Sequence, residues 1–232
     1  MDVRHHPWAT TFRSVKTPEE LTFLHLSSVP MPSKVLVLFY STYGHCFQMA
    51  KAAAEGVESA GNHAVVKRVA ETLPTEVLEK MHAVQAQQAF ASVPIATTAE
   101  LPEYDGLILI TPTRFGLMAA QMKAFIDATG QHWQSGALVG KAAAVMTATA
   151  TQHGGNEMTI LSSYLPLLHH GFILVGMPPV STGLTEVQGL TPYGASTITG
   201  TMGDRMPSSV ELEGVKAHAK RLGEVAAKLA AK

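Results

Sequence analysis

A single cysteine, Cys46, stands in the 232 residues, so neither a disulfide framework nor a cysteine-based metal cluster can be assembled from this chain. Charge of one sign is lacking too. The formal net charge is -1, with no basic stripe of the kind nucleic-acid binders carry and no strongly acidic face of the kind by which small electron carriers dock. No apolar run is long enough to span a bilayer and none follows a basic segment as in a signal peptide, so membrane insertion is not expected and the cytoplasm is the expected compartment. Gly-x-Gly-x-x-Gly and Gly-Lys-Ser/Thr are both missing, which excludes the dinucleotide fingerprint and the Walker loop. Internal repeats are absent as well.

What is present suffices for one sizeable core, since 46% of the residues are hydrophobic. Val35-Leu36-Val37-Leu38-Phe39-Tyr40 reads as a buried central strand. It runs straight into the polar turn Ser41-Thr42-Tyr43-Gly44-His45-Cys46 and then a helix over residues 47–60, with Phe47, Ala50, Ala54 and Val57 on one side and Gly61 as its stop. Backbone N–H groups at such a helix start are unpaired and carry the positive end of the dipole, so a phosphate can be held there by hydroxyls and backbone, without lysine or magnesium. That manner of holding suits flavin mononucleotide (FMN). A plain strand-to-helix connection with a serine N-cap is the competing reading. Cys46 reads either as a small first-turn hydrophobe or as a thiol activated by the dipole.

Strands and helices then alternate. Residues 63–68, 105–111, 141–149 and 172–175 form the further strands. Helices are expected over residues 119–129, stopped by Gly130, and over 157–168, where Pro166 distorts the run. A last helix is announced by the capping box Ser208-x-x-Glu211. This order predicts an α/β fold, a doubly wound five-stranded parallel sheet with helices on both faces. Two irregular stretches, 73–100 and 176–207, are long enough to be functional loops or subunit contacts. Residues 1–33, with His5, His6 and Trp8 but no sustained period, are expected to be a loosely ordered extension ahead of a domain spanning 34–232, with Met31 as an alternative start.

In such sheets ligands sit beyond the carboxyl ends of the strands. Three loops there are small, hydroxylated or glycine-containing, or carry a flat group: residues 41–46, then Thr111-Pro112-Thr113-Arg114-Phe115-Gly116, then Ala148-Thr149-Ala150-Thr151-Gln152-His153 followed by two glycines. Pro112 stiffens the middle loop, Gly116 lets backbone approach a ring, and N–H groups there suit the polar edge of a flavin. Each residue also has a plainer reading. Arg114 can be a surface arginine, Trp133 can fill core space despite its polar neighbours, and His169-His170 can complement the negative end of a helix.

Taken together, the run from Val35 through His45, Thr111 to Gly116, Trp133-x-Ser-Gly-Ala-Leu138, Thr151-Gln-His-Gly-Gly155, His169-His-Gly171 and Thr191-Pro-Tyr-Gly-Ala195 resembles the WrbA-type NAD(P)H:quinone oxidoreductases of the flavodoxin-like superfamily. The resemblance runs from Lys34 to the end of the chain. It implies an FMN-dependent, cytoplasmic homotetramer that takes hydride from NADH or NADPH and passes two electrons to a quinone by ping-pong kinetics. It further implies that Ser41, Thr42, Tyr43, Gly44, His45 and Cys46 hold the FMN phosphate and that Thr113, Arg114 and Phe115 line the flavin ring. Ala148, Thr149, Ala150, Thr151, Gln152 and His153 would close over the ribityl chain, although this loop is one residue longer than the family's usual run. His169 would lie near the flavin as a proton donor, Tyr43 near the nicotinamide nucleotide and Trp133 beside the substrate. The rivals are a one-electron flavodoxin-type carrier and a non-catalytic regulator that keeps the fold. No metal site is expected.

Overall fold

The computed structural model describes residues 31–179, 184 and 187–231. The expected N-terminal extension lies outside the described residues except at its end, where Ser33 is buried and its N–H donates to Asn62 Oδ1 at 2.9 Å.

Strand β1 (Lys34–Phe39) leads into helix α1 (His45–Ser59), and β2 (His63–Arg68) follows. Side chains of β1 alternate between two separate cores. Val35, Val37 and Phe39 join Met49, Ala50 and Ala53 of α1, while Leu36, Leu38 and Tyr40 join the opposite core. Both faces of β1 are therefore covered, which is why its sequence is apolar throughout rather than alternating.

The stretch 73–100, expected to be irregular, contains α2 (Thr75–Lys80), α3 (Val84–Gln88) and the start of a 3-10 turn, Thr98–Glu103, opened by a capping box between Thr97 and Glu100. Helices this short hold too few periodic positions to register in a hydrophobic pattern. Strand β3 (Gly106–Arg114) continues past its expected end because the chain folds back onto it as β4 (Leu117–Met118), with Thr113 opposite Met118 and Arg114 opposite Leu117. Helix α4 (Ala120–Asp127) ends before Gly130, which instead opens α5 (Gly130–Ser135). Strand β5 (Ala142–Thr149) and helix α6 (Asn156–His169) follow, α6 running through Pro166.

The parallel path through the sheet is β2-β1-β3-β5 and then β6 (Ile173–Leu174). Its fifth position is shared: β6 pairs with Ala142 and Ala143 of β5, while β7 (Ser196–Ile198), inside the second stretch expected to be irregular, pairs with Thr147 to Thr149. Helix α7 (Ser209–Ala230) packs beside α1. Gly56 permits that approach, since a Cβ there would stand 2.4 Å from the Lys216 carbonyl oxygen. Helices α1 and α7 cover one face of the sheet and α4 and α6 the other.

Candidate functional site

The strand order reverses between β1 and β3, because the chain goes from β1 outward to β2 and then returns to the other side. A cleft of about 280 Å³ opens at that point beyond the carboxyl ends of the strands. It is lined by Ser41, Thr42, Tyr43, His45 and Cys46 after β1, by Pro112, Thr113 and Arg114 at the end of β3, and by Ala148, Thr149 and Ala150 at the end of β5. The three loops singled out in the sequence thus meet in one place. Gly44 sits within the first as the N-cap of α1, in the left-handed region at φ 94°.

A fourth wall had no motif to announce it: Thr199, Gly200, Thr201, Met202 and Gly203, after β7. The pairing of β7 with β5 brings it here, and a long-range pairing of three residues leaves no local pattern.

Hydrogen bonds fix the loops before any ligand arrives. Gly44 N–H donates to Ser41 Oγ at 3.0 Å, and Arg114 Nη2 donates to Thr42 Oγ1 at 2.9 Å. The Thr159 hydroxyl donates to Thr113 Oγ1 at 2.7 Å, and Gly116 N–H donates to the same oxygen at 3.2 Å. The Gly116 N–H is therefore already engaged within the protein rather than free for a ring, as the sequence had suggested. Phe115 and Gly116 form the two-residue tip of the β3–β4 hairpin, with φ 56° and 81°. Positive φ at both tip positions is the primed-turn geometry that suits right-twisted strands, and it usually selects asparagine or glycine. Phenylalanine there holds its ring fully exposed, outside the cleft lining.

Of the remaining sequence-derived residues, Thr151, Gln152 and His153 lie on an exposed turn just beyond the lining, with Thr149 Oγ1 donating to Thr151 O at 2.9 Å. Tyr43 is half-exposed at the mouth, its hydroxyl donating to Met81 O at 3.1 Å. Cys46 is buried and burial pushes its thiol up to about 12, which matches the small-hydrophobe reading and not an activated thiolate. His169 and Trp133 are not at the cleft of their own chain. Helix α6 starts beside the cleft and places His169 at its far end, the last of its 14 residues, roughly 20 Å along the axis. Trp133 and His169 instead line a second, open cleft of about 390 Å³ with Thr129, Leu165, Pro166 and His170. His170, unassigned from the sequence, is the buried imidazole of the pair, with Nε2 2.8 Å from the Thr129 hydroxyl and Nδ1 without a partner.

The first cleft fits FMN by its donor set. Hydroxyls and one guanidinium face it, and among the described residues no carboxylate lines it. His45, in the first turn of α1, is buried, its Nε2 has no hydrogen-bond partner among the described residues, and burial, partly offset by a backbone hydrogen bond with Gly203, holds its pKa below the ordinary histidine value. A buried polar atom of this kind is one that an incoming ligand group or water can satisfy. Combined with the N–H groups that begin a 15-residue helix, it marks the end of the cleft suited to a phosphate.

A doubly wound parallel sheet with a hydroxyl-lined, carboxylate-free cleft at its reversal point defines a flavodoxin-like mononucleotide-binding protein. The family described as NADPH-dependent FMN reductase matches residues 33–183. The NAD(P)H dehydrogenase (quinone) of Geobacter metallireducens is 54% identical over 200 residues, covering 84% of this chain and 98% of that protein. The protein of the same name from Aromatoleum aromaticum is 53% identical, with 84% and 97% covered. The chain belongs to the NADPH-dependent FMN reductase family, in the group of these NAD(P)H dehydrogenase (quinone) relatives. Among solved structures it is similar to a flavodoxin, WrbA-like protein from Agrobacterium tumefaciens, with TM-score 0.58, 25% identity, and 84% of this chain and 98% of that one covered. A flavodoxin from the domain Archaea shares the fold at TM-score 0.53 and 17% identity, with 83% and 98% covered.

Proposed function

We propose that this chain is an FMN-dependent NAD(P)H:quinone oxidoreductase, taking NADH or NADPH as co-substrate and a quinone as acceptor. The observation that carries the reading is the meeting of three sequence-distant loops in one cleft that, among the described residues, has no carboxylate lining and holds an imidazole nitrogen without a partner, in a chain with relatives named NAD(P)H dehydrogenase (quinone) at above 50% identity. Bound FMN supplies the chemistry, accepting a hydride from the nicotinamide and delivering two electrons to the quinone.

The protein's part is binding and orientation. Ser41, Thr42 and the start of α1 hold the phosphate, with His45 Nε2 as a further contact. Thr113 and Arg114 run along the ring, and Ala148, Thr149 and Ala150 flank the ribityl chain. Thr151, Gln152 and His153 close the edge beyond them, and Tyr43 at the mouth receives the nicotinamide nucleotide.

Trp133 and His169 act from a second subunit of a homotetramer. Support comes from the apolar residues left in water: Trp133 (60% exposed), Leu165 (60%) and Leu168 (54%), with Met158, Leu161 and Val139. Met158, Leu161, Leu165 and Leu168 recur at helical spacing along α6, and an exposed apolar stripe of that kind suits a protein contact. A subunit seated there sets Trp133 over the substrate and His169 where it can protonate the hydroquinone anion, so that the neutral quinol departs. Among the described residues no helix is long and apolar enough to cross a membrane, and we place the enzyme in the cytoplasm, where reduced nicotinamide nucleotides are made.

Initial rates with NADH and benzoquinone varied together test the reading. Parallel double-reciprocal lines are expected if both substrates use one site in turn; no quinone-dependent oxidation of either NADH or NADPH with FMN present would overturn it.

A further inference from the structure

Behind the fourth wall of the cleft lies a polar assembly larger than the start of a helix requires. Glu211, in the first turn of α7, is completely buried. Its carboxylate accepts the Ser208 N–H at 2.8 Å, which completes the capping box. It also accepts the Thr197 hydroxyl at 2.8 Å, the Gly189 N–H at 3.2 Å and the Ile198 N–H at 3.3 Å. Arg205 Nη1 donates to both of its oxygens, at 2.9 and 3.2 Å, and to the Ile198 carbonyl. Burial would raise the Glu211 carboxyl, but the Arg205 guanidinium and these donors hold it below the usual range, so the pair stays ionised.

Arg205 is joined to the wall by backbone as well: its N–H donates to Thr199 O at 2.9 Å, and the Thr199 N–H donates to Thr149 O at 2.7 Å. On the other side, the Gly189 carbonyl accepts from Asn156 Nδ2 at 3.3 Å and from the Ser196 hydroxyl, and Asn156 Oδ1 meets the Thr149 hydroxyl. One network therefore ties the loop after β5 to the wall after β7. The wall in turn reaches the phosphate end, for the nearest side-chain atom to a Cβ built on Gly203 is His45 Cε1, at 3.9 Å.

We propose that Arg205, held by Glu211, is a positioning residue for mononucleotide binding: it keeps residues 199–203 against the phosphate end of the cleft, so that this end is formed before the ligand arrives. The proposal rests on the FMN reading and adds to it the group that selects FMN over the unphosphorylated flavin. Arg205 does not line the cleft; it acts through the turn that does. Loss of the tether lowers the fraction of molecules whose wall is in place, and the apparent dissociation constant rises by the inverse of that fraction.

The test compares FMN and riboflavin binding to apoprotein by quenching of flavin fluorescence, in wild type, Arg205→Ala and Arg205→Lys. Arg205→Ala leaves the buried Glu211 carboxylate without its cation, and the lysine variant retains a charge opposite Glu211 if the alanine variant does not fold. The preference of wild type for FMN over riboflavin is expected to shrink about tenfold in Arg205→Ala and by less in Arg205→Lys, with riboflavin affinity little changed. A purely structural role would weaken both flavins alike and leave the ratio intact, and an unchanged ratio overturns the proposal. If wild type binds neither flavin, the FMN reading itself has failed, an outcome separable from the others.

Discussion

Arg114 and Thr42, 72 positions apart, meet with the guanidinium Nη2 2.9 Å from the threonine hydroxyl, and this bond sets the spacing between the loop after β1 and the loop after β3. Because Arg114 is exposed, truncating it removes no core. Arg114→Ala is therefore expected to leave the melting temperature within a degree or two, while FMN binding weakens about tenfold, the usual worth of a hydrogen bond with a charged donor. Isothermal titration of apoprotein with FMN, alongside a thermal melt, measures both.

Gly44 and Gly61 offer a controlled pair. Both have positive φ, 94° and 74°, and neither has an atom within 4 Å of an added Cβ. Alanine at either is expected to cost about 1–2 kcal/mol in urea denaturation, from backbone strain alone. Only Gly44→Ala is expected to weaken FMN binding, since only Gly44 opens α1 at the cleft.

Phe115 keeps a strained backbone for a ring that touches little of its own chain. Phe115→Asn places a residue suited to the primed turn and is expected to stabilise the fold by about 0.5–1 kcal/mol. Quinone reduction is expected to fall in the same variant if the ring serves the site, a trade of stability for function. Denaturation and initial-rate measurements on one preparation decide it.

His218 sets a pH dependence. It is fully buried, its Nδ1 accepts the Ala195 N–H at 3.2 Å and its Nε2 donates to Val175 O at 2.8 Å, so it is neutral and joins the chain after β6 to the chain before β7. Burial lowers its pKa to about 4. In the unfolded chain it titrates near 6.5, so below that pH the unfolded state takes up a proton that the folded state refuses. The contribution is present above pH 6.5 and is lost as pH falls toward 4, about 2 kcal/mol being gone by pH 5. Urea denaturation at pH 7 and pH 5 is expected to show a smaller difference for His218→Gln than for wild type.

Leu165 borders the second cleft and is mostly exposed. Leu165→Glu is expected to shift the assembly toward smaller species in sedimentation velocity and to lower quinone reduction, while FMN stays bound. An unchanged size distribution would count against assembly through α6.

Much of the site was legible because its chemistry is local. Ser41 to Cys46 follow directly on a strand whose apolar run is unmistakable, and the loops at Thr113 and Thr149 follow strands of the same kind. The fourth wall was not legible. Residues 199–203 reach the cleft only because Ser196 to Ile198 add to β5, a contact across some 50 positions that no periodicity announces. The capping box at Thr97 and Glu100 was available in the sequence and marks the 3-10 turn that the irregular reading of 73–100 passed over. The resemblance singles out His169 of the pair, but that its neighbour His170 is the buried one, against Thr129, is announced by no local pattern.

The most direct test of the account is an anaerobic absorbance spectrum of the purified protein with FMN, followed by NADH or NADPH and then benzoquinone. Bound flavin that bleaches fully with a reduced nicotinamide and returns on adding quinone is the predicted result. Flavin that binds yet ignores both nicotinamides would contradict the oxidoreductase reading and leave an electron carrier, and failure to bind flavin would contradict the site itself.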